Sequence, residues 1–305
     1  MLYSTTTPEQ KRAKLREILS SGTIQQFPGA FSPLSARLIE EKGFPGVYIS
    51  GAVLANDLGL PDIGLTTLTE VATRAGQIAR MTNLPAIVDA DTGFGEAMNV
   101  ARTVQELENA GLAGMHIEDQ VNPKRCGHLD GKAVVDLDTA LQRVRAAAEA
   151  RRDPNFLIMA RTDIRATGEG AAGLDAAVER VKALVDAGAD SIFPEAMGTL
   201  DEFKAIRDAV DVPVLANMTE FGKSRLFTAD ELAGVGINLI IYPVTLLRIA
   251  MGAAERTLET IRAEGTQEAR VPEMLTRARL YELVDYEAYN RFDTGVFNFQ
   301  VPGRY

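Results

Sequence analysis

A single cysteine, Cys126, and only two histidines occur in this chain of 305 residues. One thiol excludes an internal disulfide framework, a device of oxidising compartments, and points to a reducing, cytoplasmic setting. The same scarcity argues against zinc, whose structural sites draw on cysteine and histidine. Long apolar runs are also missing. The longest, around Ile237 to Leu247, is broken by Asn238, Tyr242 and Pro243, whereas a spanning helix needs ~20 apolar residues. The opening stretch, MLYSTTTPEQKRAKLRE, has no apolar core and no small-residue cleavage site, so no export signal is expected. Positive charge is in deficit: 32 Lys and Arg face 42 Asp and Glu, a formal net charge of −10. Nucleic acid and anionic membranes both require a positive surface, so neither is an expected partner.

What remains has the apolar share, 46%, and the charged share, 24%, of a globular enzyme. One pattern repeats along it: a short apolar run, a polar or glycine-rich break, then an amphipathic stretch of helical spacing. The runs are TIQQFPGA, GVYISGA, PAIVDADTG, GMHIEDQ, FLIMARTD, SIFPEA, VPVLANMTE and LIIYPVT. Gly43, Gly111, Gly188 and Gly265 stand where helices between them should end, in places that suit a left-handed backbone. Eight such alternations with no Gly/Ser/Pro-rich linker predict one α/β domain over residues 1–305, a (β/α)8 TIM-type barrel. An open doubly wound sheet is the alternative, but no G-x-G-x-x-G follows the first strand. Residues 266–305 are a C-terminal helical and aromatic extension that barrel closure does not need. Its Phe and Tyr side chains should pack on another subunit.

In such a barrel, side chains at the C-terminal ends of strands face the active site. Here those ends carry Tyr48 and Ser50, Asp89 and Asp91, His116, Glu118 and Asp119, Arg161 and Asp163, Glu195, then Asn217, Thr219 and Glu220. Asp89 and Asp91 are two apart, so on a strand they would share a face. With Glu118 on the next strand and Asp62 in a loop, these acids could converge, and a divalent cation would offset their repulsion. Mg²⁺ suits carboxylate and water ligands. The competing reading has the acids capping helices or pairing with Arg161.

The segment KRCGH follows the fourth strand. Its neighbouring cations would favour thiolate over thiol at Cys126, although a lone cysteine is as often buried filler. His128, in the same polar loop, is a candidate for substrate contact or proton transfer. His116, between Met115 and Ile117, reads as structural. Arg161, Arg248 and Arg277 are candidate anion clamps because guanidinium matches carboxylate in a two-pronged fashion.

The combination YISGA…GLPDIG, VDADTGFG, NVART, HIEDQ…KRCGH, MARTD, FPEA, NMTEFG and YPVT resembles the isocitrate lyase/phosphoenolpyruvate mutase superfamily, within it most nearly the 2-methylisocitrate lyases. The resemblance runs from about Tyr48 to the segment near Arg277. It implies a Mg²⁺-dependent lyase, with Mn²⁺ as a substitute, that splits the tricarboxylate 2-methylisocitrate into pyruvate and succinate in the methylcitrate route of propionate breakdown. By motif position it implies Asp89 and Asp91 at the metal, with Asp62 and Glu118 holding the metal's waters. Ser50, Gly51, Ala52, Cys126, Gly127, Arg161, Glu195, Asn217, Met218, Thr219, Arg248 and Arg277 would contact substrate. The chemistry then calls for Cys126 as general acid, Tyr48 as base and Arg161 as the stabiliser of developing charge, with His128 beside them. A homotetramer with exchanged terminal helices is also implied. Sister lyases acting on isocitrate or 2,3-dimethylmalate would share these residues; a phosphoryl mutase is disfavoured by Cys126, and a non-catalytic scaffold by the intact acids and KRCGH. Two departures stand out: Ala52 where many members have glycine, and Lys223-Ser224-Arg225 where a threonine–proline pair is common.

Overall fold

A computed structural model describes residues 3–124, 133–168, 170–222 and 224–298. Eight strands and twelve α-helices are assigned among them: α1 (Pro8–Leu19), β1 (Gln25–Pro28), α2 (Pro33–Glu41), β2 (Val47–Ile49), α3 (Gly51–Asp57), α4 (Leu68–Ala79), β3 (Ala86–Asp89), α5 (Ala97–Asn109), β4 (Gly114–Glu118), α6 (Leu137–Ala150), β5 (Leu157–Thr162), α7 (Gly170–Asp186), β6 (Ser191–Pro194), α8 (Leu200–Ala209), β7 (Leu215–Asn217), α9 (Ala229–Gly234), β8 (Leu239–Tyr242), α10 (Thr245–Glu264), α11 (Arg277–Leu283) and α12 (Tyr286–Phe297). Each of the eight apolar runs contributes one strand.

All strand pairs are parallel, in the orders β2-β3-β4-β5-β6 and β1-β8-β7. Two single parallel bridges, Gly29 to Tyr48 and Ile192 to Val214, join these sheets into a ring. Ala30 N donates to Tyr48 O at 2.9 Å, and Ile192 N to Pro213 O at 2.9 Å. The expected closed barrel is therefore present.

Alternation along the strands builds it. Phe27, Tyr48, Ile87, Met159, Phe193, Leu215 and Ile241 point inward and pack together. Val47, Ile49, Val88, Met115, Ile117 and Ile158 point outward into one helix-covered core, and Ala160, Ile192, Ala216 and Ile240 into another. Burial on both faces is why the strands read as continuous apolar runs rather than as an alternating pattern. Helix starts are equally local: Thr7, Ser32, Thr67 and Thr228 each form a reciprocal capping box. Gly43, Gly111, Gly188 and Gly265 all have positive φ, as their places after helices required.

The N-terminal mouth of the barrel is closed by α1. Leu15, Ile18 and Leu19 join the inward cluster. Arg12 reaches across the rim, donating to Leu112 O at 3.0 Å and Glu108 O at 2.6 Å and pairing with Asp153 at 3.1 Å. At the other end of the chain α10 is twenty residues long and buries none of them. Ile249, Met251 and Leu258 on it are exposed, as are Phe292 and Phe297 on α12. Among the described residues no helix is long and apolar enough to cross a membrane.

Candidate active site

A cavity of about 890 Å³ opens at the C-terminal ends of the strands. Tyr48, Ser50, Ala52, Asp62, Asp89, Arg161, Glu195, Asn217, Thr219 and Arg248 all line it, so most of the candidates meet in one place. Barrel geometry delivers them there: Asp89, Arg161 and Asn217 sit at or within one residue of the ends of β3, β5 and β7.

The acidic pair forms by a route other than strand alternation. β3 ends at Asp89, and Asp91 lies beyond it with φ of 47°, in the left-handed region. Asp91 N donates to Asp89 Oδ1 at 3.0 Å, so Asp89 caps its own turn and swings the second carboxylate round. Gly51 N donates to Asp89 Oδ2 at 3.2 Å. A Cβ built on Gly51 would stand 2.8 Å from Asp89 Oδ2 and 3.3 Å from Asp91 Oδ1. The absent side chain thus leaves a small cradle between both acids. Ala52, in the first turn of α3, is not among the residues of positive φ, so its methyl is accommodated without strain.

Lys124 is the cation that sequence reasoning passed over. Its Nζ lies 2.5 Å from Asp62 Oδ1 and 2.8 Å from Asp91 Oδ1. Burial opposes its charge, but Asp89, Asp91 and Asp62 outweigh that and raise its proton affinity. Burial also opposes ionisation of Asp89, yet the positive groups around it hold its carboxyl below its ordinary range. His116 is not the source at neutral pH: burial pushes its imidazole down to about 4 against the pull of Asp89, leaving Lys124 and Arg161 to supply the charge. Asp91 goes the other way, pushed up to about 6 by burial and by the charge of Asp89. Even with Lys124 in contact, the acidic pair lacks positive charge.

That deficit and the Gly51 cradle fit a divalent cation. Among the described residues no three His, Cys, Asp or Glu side chains close into a ligand cage; Mg²⁺ is often held through one or two carboxylates and water. Asp89 and Asp91 would hold it, with Asp62 within reach of the same charge cluster. Glu118 sits behind them, 2% exposed, with Oε1 and Oε2 lacking hydrogen-bond partners among the described residues. Burial raises its carboxyl well above the usual range, although Arg161 Nε lies 3.2 Å away.

Arg161 is also more crowded than an open anion clamp. Nε and Nη2 donate to Asp163 at 2.9 and 3.3 Å, Nη2 lies 3.2 Å from Glu195, and the guanidinium stacks 5.0 Å from the Phe193 ring centre. Burial would lower its affinity for the proton, but Asp163, Glu118 and Glu195 raise it. Tyr48 OH lies 2.7 Å from His116 Nε2. Burial and the charge of Asp89 push this phenol well above its ordinary value, so at neutral pH it keeps its proton. Tyr48 thus stands as the candidate base in the form of a phenol hydrogen-bonded to His116. His116, read from sequence as structural, is its partner and lies 3.6 Å from Asp89 Oδ1.

Two further expectations change. Met218 does not face the cavity; its side chain packs in the outer core and its sulfur accepts from Phe227 N at 3.2 Å. Arg277 is exposed at the start of α11 and does not line the cavity. Arg248 does line it, held by Glu220 Oε2 at 2.7 Å and Thr219 Oγ1 at 3.2 Å. Cys126, Gly127, His128 and Lys223 lie outside the described residues. Lys124 had a usable signal, because it opens the KRCGH motif. The Tyr48–His116 and Arg248–Glu220 pairings had none, being 68 and 28 residues apart.

The family model described as phosphoenolpyruvate phosphomutase matches residues 15–262. The chain belongs to this family. Its superfamily also includes isocitrate lyase, as the description of one solved neighbour states. A protein of Corynebacterium glutamicum named "Probable 2-methylisocitrate lyase 2" is 58% identical over 98% of this chain and 96% of its own length. A solved 2,3-dimethylmalate lyase superposes with a TM-score of 0.86 at 32% identity, covering 98% of this chain and 99% of that one. A phosphonopyruvate hydrolase solved with oxalate and Mg²⁺ superposes at 0.83 and 28% identity, covering 95% and 99%. The family's barrel is thus shared by proteins named as a lyase and as a hydrolase, and the fold alone does not choose between them.

Proposed function

We propose that this chain is a cytoplasmic, Mg²⁺-dependent lyase that cleaves 2-methylisocitrate to pyruvate and succinate. The observation that carries the reading is the 58% identity, over nearly the whole of both chains, to a protein named as a probable 2-methylisocitrate lyase. The cavity's chemistry agrees with it. Cleavage removes the hydroxyl proton from the carbinol carbon, breaks its bond to the neighbouring carbon, and leaves the electron pair beside that carbon's carboxylate. Pyruvate departs once the new C=O has formed, and a C–H bond completes succinate. Asp89 and Asp91 would hold Mg²⁺, which would supply Lewis acidity to the reacting hydroxyl.

The chain's own residues do the rest. Arg161, buried and fixed by Asp163, presents a permanent cation to the charge that develops on the succinate fragment. Arg248, on the first turn of α10, meets a distal carboxylate. Tyr48, on the cavity floor, takes the hydroxyl proton as its own passes to His116 Nε2 behind it. Ser50, Gly51, Asn217, Thr219 and Glu195 orient the substrate's polar groups. Cys126, with Gly127 and His128 beside it, hands a proton to carbon.

A pyruvate-release assay on 2-methylisocitrate, isocitrate and 2,3-dimethylmalate, each with Mg²⁺ and with EDTA, tests the reading. The expected result is metal-dependent release that is fastest from 2-methylisocitrate. Preference for 2,3-dimethylmalate would reassign the substrate, and no release from any of the three would overturn the lyase.

The reading extends to assembly. Residues 1–305 form one domain, and residues 266–305 with the outer face of α10 are covered by other copies of the chain in a homotetramer. Ile249 is 70% exposed and Phe297 is 88% exposed, a burden that monomeric surfaces rarely carry over so long a stretch. Light scattering should give a mass several times 33.0 kDa. Truncation before residue 266 should lower both that mass and solubility, whereas a monomer at micromolar concentration would defeat the assignment.

A further inference from the structure

Asp119, one residue past the end of β4, takes no part in the reading above. It is 2% exposed and accepts three hydrogen bonds. Thr162 Oγ1 donates to Oδ2 at 2.6 Å, Asp163 N to Oδ1 at 3.0 Å, and Arg180 Nε to Oδ2 at 2.7 Å. Arg180 is itself fixed, with Nη2 donating to Val135 O at 2.7 Å. Two of Asp119's three partners are therefore consecutive residues at the end of β5, immediately after Arg161. Asp163 in turn grips Arg161 through Nε and Nη2.

We propose that Asp119, charged and oriented by Arg180, is a positioning residue that sets the Arg161 guanidinium in the cavity through Asp163. The geometry gives the reason. Arg161 stands among three carboxylates, those of Asp163, Glu118 and Glu195, all within 3.2 Å. Its orientation depends on which of the three holds it most firmly. Among the described contacts only Asp163 meets it with both oxygens, and that two-pronged contact requires the Asp163 backbone to stay where Asp119 pins it. Released from Asp119, Asp163 can turn, and the guanidinium can swing toward Glu118 or Glu195. A buried ion pair such as Asp119–Arg180 contributes little net stability once desolvation is counted. Its worth lies in the geometry it fixes.

The kinetic arm of the test rests on the lyase reading; the structural arm does not. Asp119→Ala removes all three acceptor contacts and should lower kcat for pyruvate release by roughly 10²-fold, the scale of a small misplacement of a catalytic group. KM should stay within about threefold, because ground-state binding has other contacts. Asp119→Asn retains an acceptor for Asp163 N–H but turns an amide N–H toward Arg180 Nε, so its kcat should fall between those of the alanine variant and the unaltered enzyme. Arg180→Gln should lower kcat in the same direction, and adding it to Asp119→Ala should cost nothing further, as expected for two members of one unit. Arg12→Gln at the opposite mouth of the barrel should lower the melting temperature and leave kcat alone. A crystal structure of Asp119→Ala, or of Arg180→Gln should the alanine variant not fold, should show Arg161 displaced.

Unchanged kcat with a lower melting temperature would make the pair merely structural. An equal kcat loss in Arg12→Gln, or an unmoved Arg161, would also overturn the proposal. If the unaltered enzyme releases no pyruvate from any substrate, the lyase reading fails by itself and the position of Arg161 alone decides.

Discussion

Asp89→Asn should reduce pyruvate release by at least ~10³-fold while leaving the barrel folded. The size follows from losing a Lewis acid that supplies several kcal/mol of transition-state stabilisation, at about 1.4 kcal/mol per factor of ten. Some stability should be lost, because the amide leaves one of the Asp91 and Gly51 N–H groups without an acceptor, but the side chain's volume is kept and a charge that pushes Asp91 upward is removed. Lys124 retains Asp62 and Asp91 as partners. Calorimetric titration with Mg²⁺ should show binding to the unaltered enzyme and none to the variant. Exhaustive treatment with EDTA should abolish activity, with Mg²⁺ or Mn²⁺ restoring it. Full activity after chelation would defeat the metal assignment, whatever the variant does.

Cys126→Ser carries the second large effect. Sulfur and oxygen differ little in size here, but a thiol of ordinary pKa about 8.5 gives way to an alcohol far less able to release a proton. As general acid toward carbon, the thiol should be worth roughly 10²- to 10⁴-fold in kcat. Substrate binding should survive, so KM should move little. A loss confined to KM would mean that the sulfur only touches substrate. Unchanged kcat with a small fall in melting temperature would mark the cysteine as packing alone. Measured together, kcat, KM and the melting temperature separate these outcomes.

The two variants probe sites of different legibility. Asp89 and Asp91 were found in the sequence by spacing, yet the spacing argument was the wrong one. Strand alternation would have placed both on one face, whereas Asp91 lies past the strand in a left-handed turn capped by Asp89 itself. The pair survives the correction because a two-residue separation also suits a side chain that bonds the backbone two positions on. Met218 shows the reverse. It stands between two cavity-lining residues, Asn217 and Thr219, and the motif carries it with them, but its own side chain packs outward into the core.

By itself the sequence determined the barrel, because every signal involved is local: apolar runs of strand length, capping boxes three residues wide, and glycines one step past a helix. It also determined that the site would be acidic and where its residues would come from, since strand ends in a barrel all face one mouth. Tertiary structure alone decided the charge balance there. Lys124 meets Asp62 across 62 residues of chain, His116 meets Tyr48 across 68, and Arg161 meets Glu118 and Glu195 from the two neighbouring strands. Such pairings depend on ring closure and on burial, which strengthens each charge interaction by removing water. Neither can be read from residues that are neighbours in sequence, so the protonation of Tyr48 and the posture of Arg161 emerged only when the strands were brought together.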